Sequence, residues 1–194
     1  AGGDARWTLL DPYGTAVFSQ AGFNSPGEDR LHGLTQTGTY TLLVENRYYR
    51  TDNGTYTFAV RKVQDSTAAL TLDQTTTSTI ALGQTQNFTF SLATGTRVSF
   101  DSLTQNVGGG DSFYLRWALT GPLGTVTSDR NFRQSDSNDG TAIFDLVAGD
   151  YTLKVTTAAE IAGEYSFRLA DLSKGTAIER NTLVTATLSP ASET

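Results

Sequence analysis

The chain repeats itself. Arg6-Trp7-Thr8-Leu9-Leu10-Asp11-Pro12-Tyr13-Gly14-Thr15 is answered by Arg116-Trp117-Ala118-Leu119-Thr120-Gly121-Pro122-Leu123-Gly124-Thr125, an offset of 110. Gly38-Thr39-Tyr40-Thr41-Leu42-Leu43-Val44 recurs as Gly149-Asp150-Tyr151-Thr152-Leu153-Lys154-Val155, offset by 111, and Gly54-Thr55-Tyr56-Thr57-Phe58 as Gly163-Glu164-Tyr165-Ser166-Phe167, offset by 109. Three colinear matches at a near-constant spacing are the signature of a structural unit used more than once. A fourth, shorter match sets Thr182–Leu188 against the stretch beginning at Thr77, with an offset near 106. The resulting organisation is a first repeat over 1–64 lacking the counterpart of residues 68–112, a complete second repeat over 65–171, and at 172–194 the opening strands of a third or a tail.

Each repeat reads as strands. Apolar and polar residues alternate in Tyr40/Leu42/Val44, Tyr56/Phe58/Val60, Phe88/Phe90/Leu92, Phe113/Leu115/Trp117/Leu119, Tyr151/Leu153/Val155 and Tyr165/Phe167/Leu169, the period of a sheet with one buried face. Asp52-Asn53-Gly54, Gly108-Gly109-Gly110-Asp111 and Asn138-Asp139-Gly140 punctuate them with residues that tolerate turn conformations. Only Thr157–Ile161 hints at a helical turn, so crossover helices for a parallel α/β fold are missing. The expected fold class is all-β: tandem antiparallel β-sandwich, jelly-roll-like repeats of about 110 residues.

Composition narrows the function. Charged residues make up 18% of the chain, and polar cover falls instead to 32 Thr and 15 Ser; Thr is β-branched and suits the outer face of strands. The net charge of −6, with only 3 Lys and no basic cluster, offers nothing to a phosphate backbone. Nucleic acid is therefore not an expected partner, nor is membrane insertion, since no apolar run approaches the 18 or so residues of a spanning helix. Cys and Met are both absent. Disulfides and thiol chemistry are thereby excluded, and the missing start Met is expected of a piece of a longer protein. Cysteine-free, acidic, Thr/Asp/Gly-rich sequence points to an exported bacterial protein, extracellular or at the cell surface.

His32 is the only histidine, so the second repeat has no Ser-His-Asp arrangement and no His/Cys metal cluster is possible. The aspartates fall mostly in turn contexts, where they serve backbone hydrogen bonding, and no enzymatic activity is expected. The densest oxygen-rich segment is Asp129 with Asp136 and Asp139. These carboxylates are the candidate calcium ligands, calcium being the one candidate cofactor, although a solvated loop explains them more simply. Trp7 and Trp117 occupy the same place in two repeats, which suits packing better than sugar stacking. Tyr48 and Tyr49, flanked by Arg47 and Arg50, have Thr157-Ala158-Ala159 as their counterpart. They form the candidate contact patch, for a glycan or a protein.

The complete repeat, running from Phe88-Thr89-Phe90 through Asp111 and Trp117 to the closing Gly149-Asp150-Tyr151-Thr152-Leu153-Lys154-Val155 and Gly163-Glu164-Tyr165-Ser166-Phe167, resembles the bacterial pre-peptidase C-terminal domain over about residues 80–171. Asp111 is followed by Ser112 and Phe113 where that family often has a further acidic residue. The resemblance implies a non-catalytic accessory or stalk module. The functional expectation is thus a structural or adhesive repeat of a bacterial surface or fibre-forming protein, its partners being neighbouring repeats or copies of itself. The alternatives are a carbohydrate-binding module and an accessory domain of a secreted peptidase.

Overall fold

In a computed structural model the described residues are 5–21, 32–46, 48–49, 53, 55–108, 114–135, 142–157 and 161–187. They divide into two compact units, Ala1–Lys62 and Val63–Thr194. The fold is all-β, with strands β1 (Arg6–Leu10), β2 (Ala16–Ala21), β3 (Thr41–Glu45), β4 (Ser66–Ala69), β5 (Thr75–Ile80), β6 (Gln86–Leu92), β7 (Thr96–Val107), β8 (Leu115–Gly121), β9 (Gly124–Asn131), β10 (Ile143–Leu146), β11 (Gly149–Thr157) and β12 (Gly163–Asp171). Unit 1 has one three-stranded sheet in the order β2-β1-β3. Unit 2 has a four-stranded sheet, β10-β7-β12-β5, and a five-stranded sheet, β4-β6-β11-β8-β9. Pairing among the described residues is antiparallel except between β4 and β6, which run parallel; the purely antiparallel expectation is corrected there. Ser66-Thr67-Ala68-Ala69 carries no alternation, so nothing in its residues announces that pairing.

The two sheets of unit 2 face each other across an aromatic core. Phe100 of β7 stacks on Trp117 of β8 (centroids 4.0 Å apart) and on Phe167 of β12 (5.2 Å), while Phe132 meets it edge-on at 5.2 Å. Leu115, Leu119, Leu153, Val155, Tyr165 and Leu169 complete the interior, all essentially without solvent exposure. Burial alternates along β6, β8 and β11 as their sequence period demands, whereas in β12 Ser166 is buried along with Tyr165 and Phe167, at the register shift between Ser166 and Phe167. One polar side chain ties the sheets together. Gln86 of β6 donates to the Thr79 carbonyl and accepts from Ser78 Oγ (3.0 Å) and from the Tyr165 hydroxyl. Burial holds the Tyr165 phenol well above its usual pKa, so it stays a donor at any ordinary pH.

The three-stranded sheet of unit 1 has the pairing scheme of β9-β8-β11 in unit 2. Trp7 pairs with Val44 and Leu9 with Leu42; Trp117 pairs with Val155 and Leu119 with Leu153. On the other side Trp7 pairs with Gln20 and Trp117 with Arg130, and the irregularity between Leu9 and Leu10 recurs between Leu119 and Thr120. Both hairpins turn through a glycine of positive φ, Gly14 (82°) and Gly124 (100°). Gly38 and Gly149 both adopt unusual positive φ (147° and 141°), and a Cβ on either would meet Pro12 Cγ at 2.6 Å or Pro122 Cγ at 2.7 Å. Tyr40 and Tyr151 each donate a hydroxyl hydrogen bond to the carbonyl four residues earlier, Gln36 (2.9 Å) and Val147 (2.8 Å).

One expected strand is absent. Tyr56, Phe58 and Val60 alternate like Tyr165, Phe167 and Leu169, yet residues 55–65 form no strand. The physical reason is pairing. β12 is held between β5 and β7, and residues 1–62 hold no sequence counterpart of either. The repeat match at the C-terminus also shifts. Asp73 and Asn181 are non-glycine residues of positive φ (66° and 63°), each closing a two-residue turn. Aligning them gives an offset of 108 rather than 106, placing Ala177-Ile178 on Ala69-Leu70 and Leu183–Thr187 on Thr75–Thr79. Residues 176–187 are not strands.

Candidate functional site

Tyr48 and Tyr49 lie in a turn just beyond β3. Tyr48 is 97% exposed and Tyr49 52% exposed, and their rings meet edge to face, centroids 5.4 Å apart at 84°. Local sequence explains the exposure: β3 ends at Glu45, and the two tyrosines follow where no alternation continues. Two aromatic faces held at right angles on a turn provide apolar and π surface with hydroxyl donors, which suits contact with a sugar ring or a protein surface. Arg47 and Arg50 lie outside the described residues.

The candidate calcium set is only partly described. Asp129 sits in β9 with φ 50°, its side chain largely exposed; Arg116 Nη1 donates to its carbonyl oxygen (3.2 Å) and stands 3.7 Å from its carboxylate. An arginine beside the carboxylate competes with a cation for it. Asp136 and Asp139 lie outside the described residues. Among the described residues no group of three or more His, Cys, Asp or Glu side chains comes together as a metal site.

Trp117 is a core residue, 1% exposed, its indole Nε1 donating to Ser135 Oγ at 2.8 Å. It is therefore not available for sugar stacking. Trp7 is half-buried and packs edge-on against Phe18 at 4.9 Å, with half-buried His32 stacked on the same Phe18 at 4.2 Å.

Two features escape a reading of the sequence. Tyr13 and Leu123 stand at the same position of the two hairpin tips, both strongly exposed; a repeat match identifies them as equivalent but gives no burial. The second is a clasp at the end of β12. Asp73 Oδ1 accepts from the Asp171 amide (2.7 Å) and Oδ2 from Lys174 Nζ (2.6 Å). Lys174, foremost, and the Asp171 amide hold the Asp73 carboxyl below the usual carboxylate range. Because its folded pKa is depressed below the ordinary value of about 3.9, the clasp contributes fully above that pH and is lost as the pH falls through the folded value. On acidification below about pH 4, the protection of the Asp171 amide against exchange, relative to its intrinsic rate, is expected to fall, and Asp73→Asn is expected to abolish that pH dependence.

No helix among the described residues is long and apolar enough to cross a membrane. No protein-family model matches the chain, and no curated protein matches it. Solved structures do. The pre-peptidase C-terminal domain of a collagenase from Bacillus anthracis is similar at 17% identity over 57% of this chain and 99% of that one, with a TM-score of 0.41. PliG, a periplasmic inhibitor of g-type lysozyme from Aeromonas hydrophila, is similar at 11% identity over 56% and 99%, with a TM-score of 0.38.

Proposed function

We propose that the chain is a run of tandem, jelly-roll-like β-sandwich repeats, with no catalytic role, from an exported bacterial surface or fibre-forming protein. The observation that carries this reading is the duplicated architecture. The pairing and register of β1 with β3, the glycine packed against proline and the tyrosine bonded back to a carbonyl all recur at a spacing of 110–111 residues. The turn at Asn181 answers the turn at Asp73 at a spacing of 108, which supports the opening of a third copy. What is repeated is packing, while exposed side chains vary between copies. That is the pattern of a module used for reach and presentation, in which each copy contacts its neighbours and stability is summed along the array. Acidic, cysteine-free composition supports an extracellular or cell-surface setting in bacteria.

Carbohydrate binding is the second reading, and the exposed Tyr48–Tyr49 pair is the observation that favours it. Screening the whole chain on a glycan array separates the two. A spacer repeat is expected to give no saturable binding; saturable binding that weakens tenfold or more in Tyr48→Ala/Tyr49→Ala would replace it with a sugar-binding module, the size expected from losing aromatic stacking.

A further inference from the structure

We infer that two copies of this chain associate side by side along β5, strand against strand across a twofold axis, so that their two four-stranded sheets become one continuous sheet. The inference goes beyond the repeat reading: it concerns interior strands of unit 2 and needs no second repeat.

Each sheet of unit 2 ends in two edge strands, β10 and β5 in one, β4 and β9 in the other. An edge is a template for a further strand unless something blunts it. Three of these are blunted. β9 has two register irregularities against β8, the left-handed Asp129 at φ 50°, and the charges of Asp129 and Arg130. β10 is only four residues long and carries Asp145, held by Arg97 at 2.7 Å. β4 is four residues long as well and runs parallel to β6. β5 has no such guard. Its six residues, Thr75-Thr76-Thr77-Ser78-Thr79-Ile80, include no charge, no proline and no glycine, and all but Ser78 are β-branched, the side chains that favour strands. Its register against β12 runs without a bulge, and among the described residues no strand lies on its other side.

A second copy is the occupant that these residues fit. Thr75, Thr77 and Thr79 stand exposed on one face of β5. Antiparallel pairing about a twofold at Thr77 sets Thr77 against its own counterpart and Thr75 against Thr79 of the other copy, cross-strand Thr pairs of the kind that stabilise antiparallel sheets. On the opposite face Thr76 meets Ser78. Neither row brings like charges together, in a chain whose net charge of −6 otherwise opposes self-association. Glu164 of β12 lies opposite Thr79, so the twofold keeps the two Glu164 side chains at opposite ends of the seam. A strand of foreign sequence finds neither a charge nor a large exposed apolar side chain on β5 by which to be selected. Because the same strand lies on both sides, the contact is isologous and closes at two copies. A seam of six residues is small, so the dimer is weak, populated above about 100 μM.

The test is light scattering on the whole chain from about 10 μM to about 1 mM. The wild-type mass is expected to rise from 20.8 kDa and level off at twice that value. Thr77→Lys and Thr77→Glu are each expected to stay at the monomer mass, because the twofold sets residue 77 against itself, and an equimolar mixture of the two is expected to dimerise. The position is exposed, so both are expected to keep the unit 2 unfolding midpoint within about 3 °C on the same samples. Thr75→Lys/Thr79→Glu, which sets Lys against Glu twice across the seam, is expected to dimerise at least as tightly as the wild type, and Thr67→Lys on β4 to dimerise like it. A wild type that stays monomeric at about 1 mM would overturn self-pairing and leave the edge to a strand of another protein. Growth past the dimer, dimerisation of Thr77→Lys alone, a monomeric mixture, or loss of the dimer in Thr67→Lys would overturn it equally.

Discussion

Trp117→Ala is expected to lower the unfolding free energy of unit 2 by about 4 kcal/mol, within the range measured for removing a fully buried Trp or Phe. The indole stacks on Phe100 at 4.0 Å, meets Phe144 edge-on at 5.9 Å and lies under the Arg130 guanidinium, also 5.9 Å away. Its deletion leaves a cavity where both sheets meet, and Ser135 loses the donor at 2.8 Å while keeping its own bond to the Asn131 carbonyl. For a unit of this size the loss corresponds to roughly 15 °C in midpoint, at about 4 °C per kcal/mol. Trp117→Phe keeps the stacking and is expected to cost about a third as much. Calorimetry on the whole chain gives the answer directly: the unit 2 transition moves, and a shift under about 5 °C would remove Trp117 from the centre of the core. Half-buried Trp7 belongs to unit 1, and Trp7→Ala is expected to leave the unit 2 transition in place.

Asp101→Ala is expected to be nearly as costly, about 3–4 kcal/mol. Asp101 and Arg168 stand directly opposite each other on β7 and β12, with Arg168 Nη2 2.9 Å from Asp101 Oδ2 and side-chain exposures of 4% and 15%. Coulomb attraction between the two is offset largely by the desolvation of both, so the pair contributes little net stability. Removing one partner, in contrast, takes that attraction away from a charge that stays buried. The double replacement Asp101→Leu/Arg168→Leu is accordingly expected to recover most of the loss. Denaturant unfolding of both singles and the double closes the cycle. Strict additivity would contradict the account, because it would mean that the two charges do not act on each other.

The strands with a clean period were legible in the sequence, and so was the correspondence between the two units, because matched residues such as Trp7/Trp117 and Val44/Val155 come at nearly the same spacing, 110 and 111. β4 and β9 were not legible as elements: one is Ser66-Thr67-Ala68-Ala69, and the other a mostly polar run from Gly124 to Asn131. Both are sheet edges, recruited by pairing partners rather than by their own pattern. Tyr56–Val60 shows the converse. Its alternation is as good as that of β12, yet a strand needs a ladder, and periodicity describes a face without supplying the neighbour. At the candidate site, the difference between Tyr48-Tyr49 and Thr157-Ala158 singled out the exposed pair. The Asp73–Lys174 clasp joins side chains 101 residues apart, a contact that spacing and composition do not encode.

The measurement that tests the account most directly is calorimetry of residues 63–175 produced alone. If the repeat is a complete module, this piece is expected to unfold in one cooperative transition, with calorimetric and van't Hoff enthalpies equal and a midpoint within about 3 °C of the unit 2 transition in the whole chain. A piece that lacks a cooperative transition, or melts far below its counterpart in the whole chain, would contradict the claim that the chain is built from autonomous β-sandwich repeats.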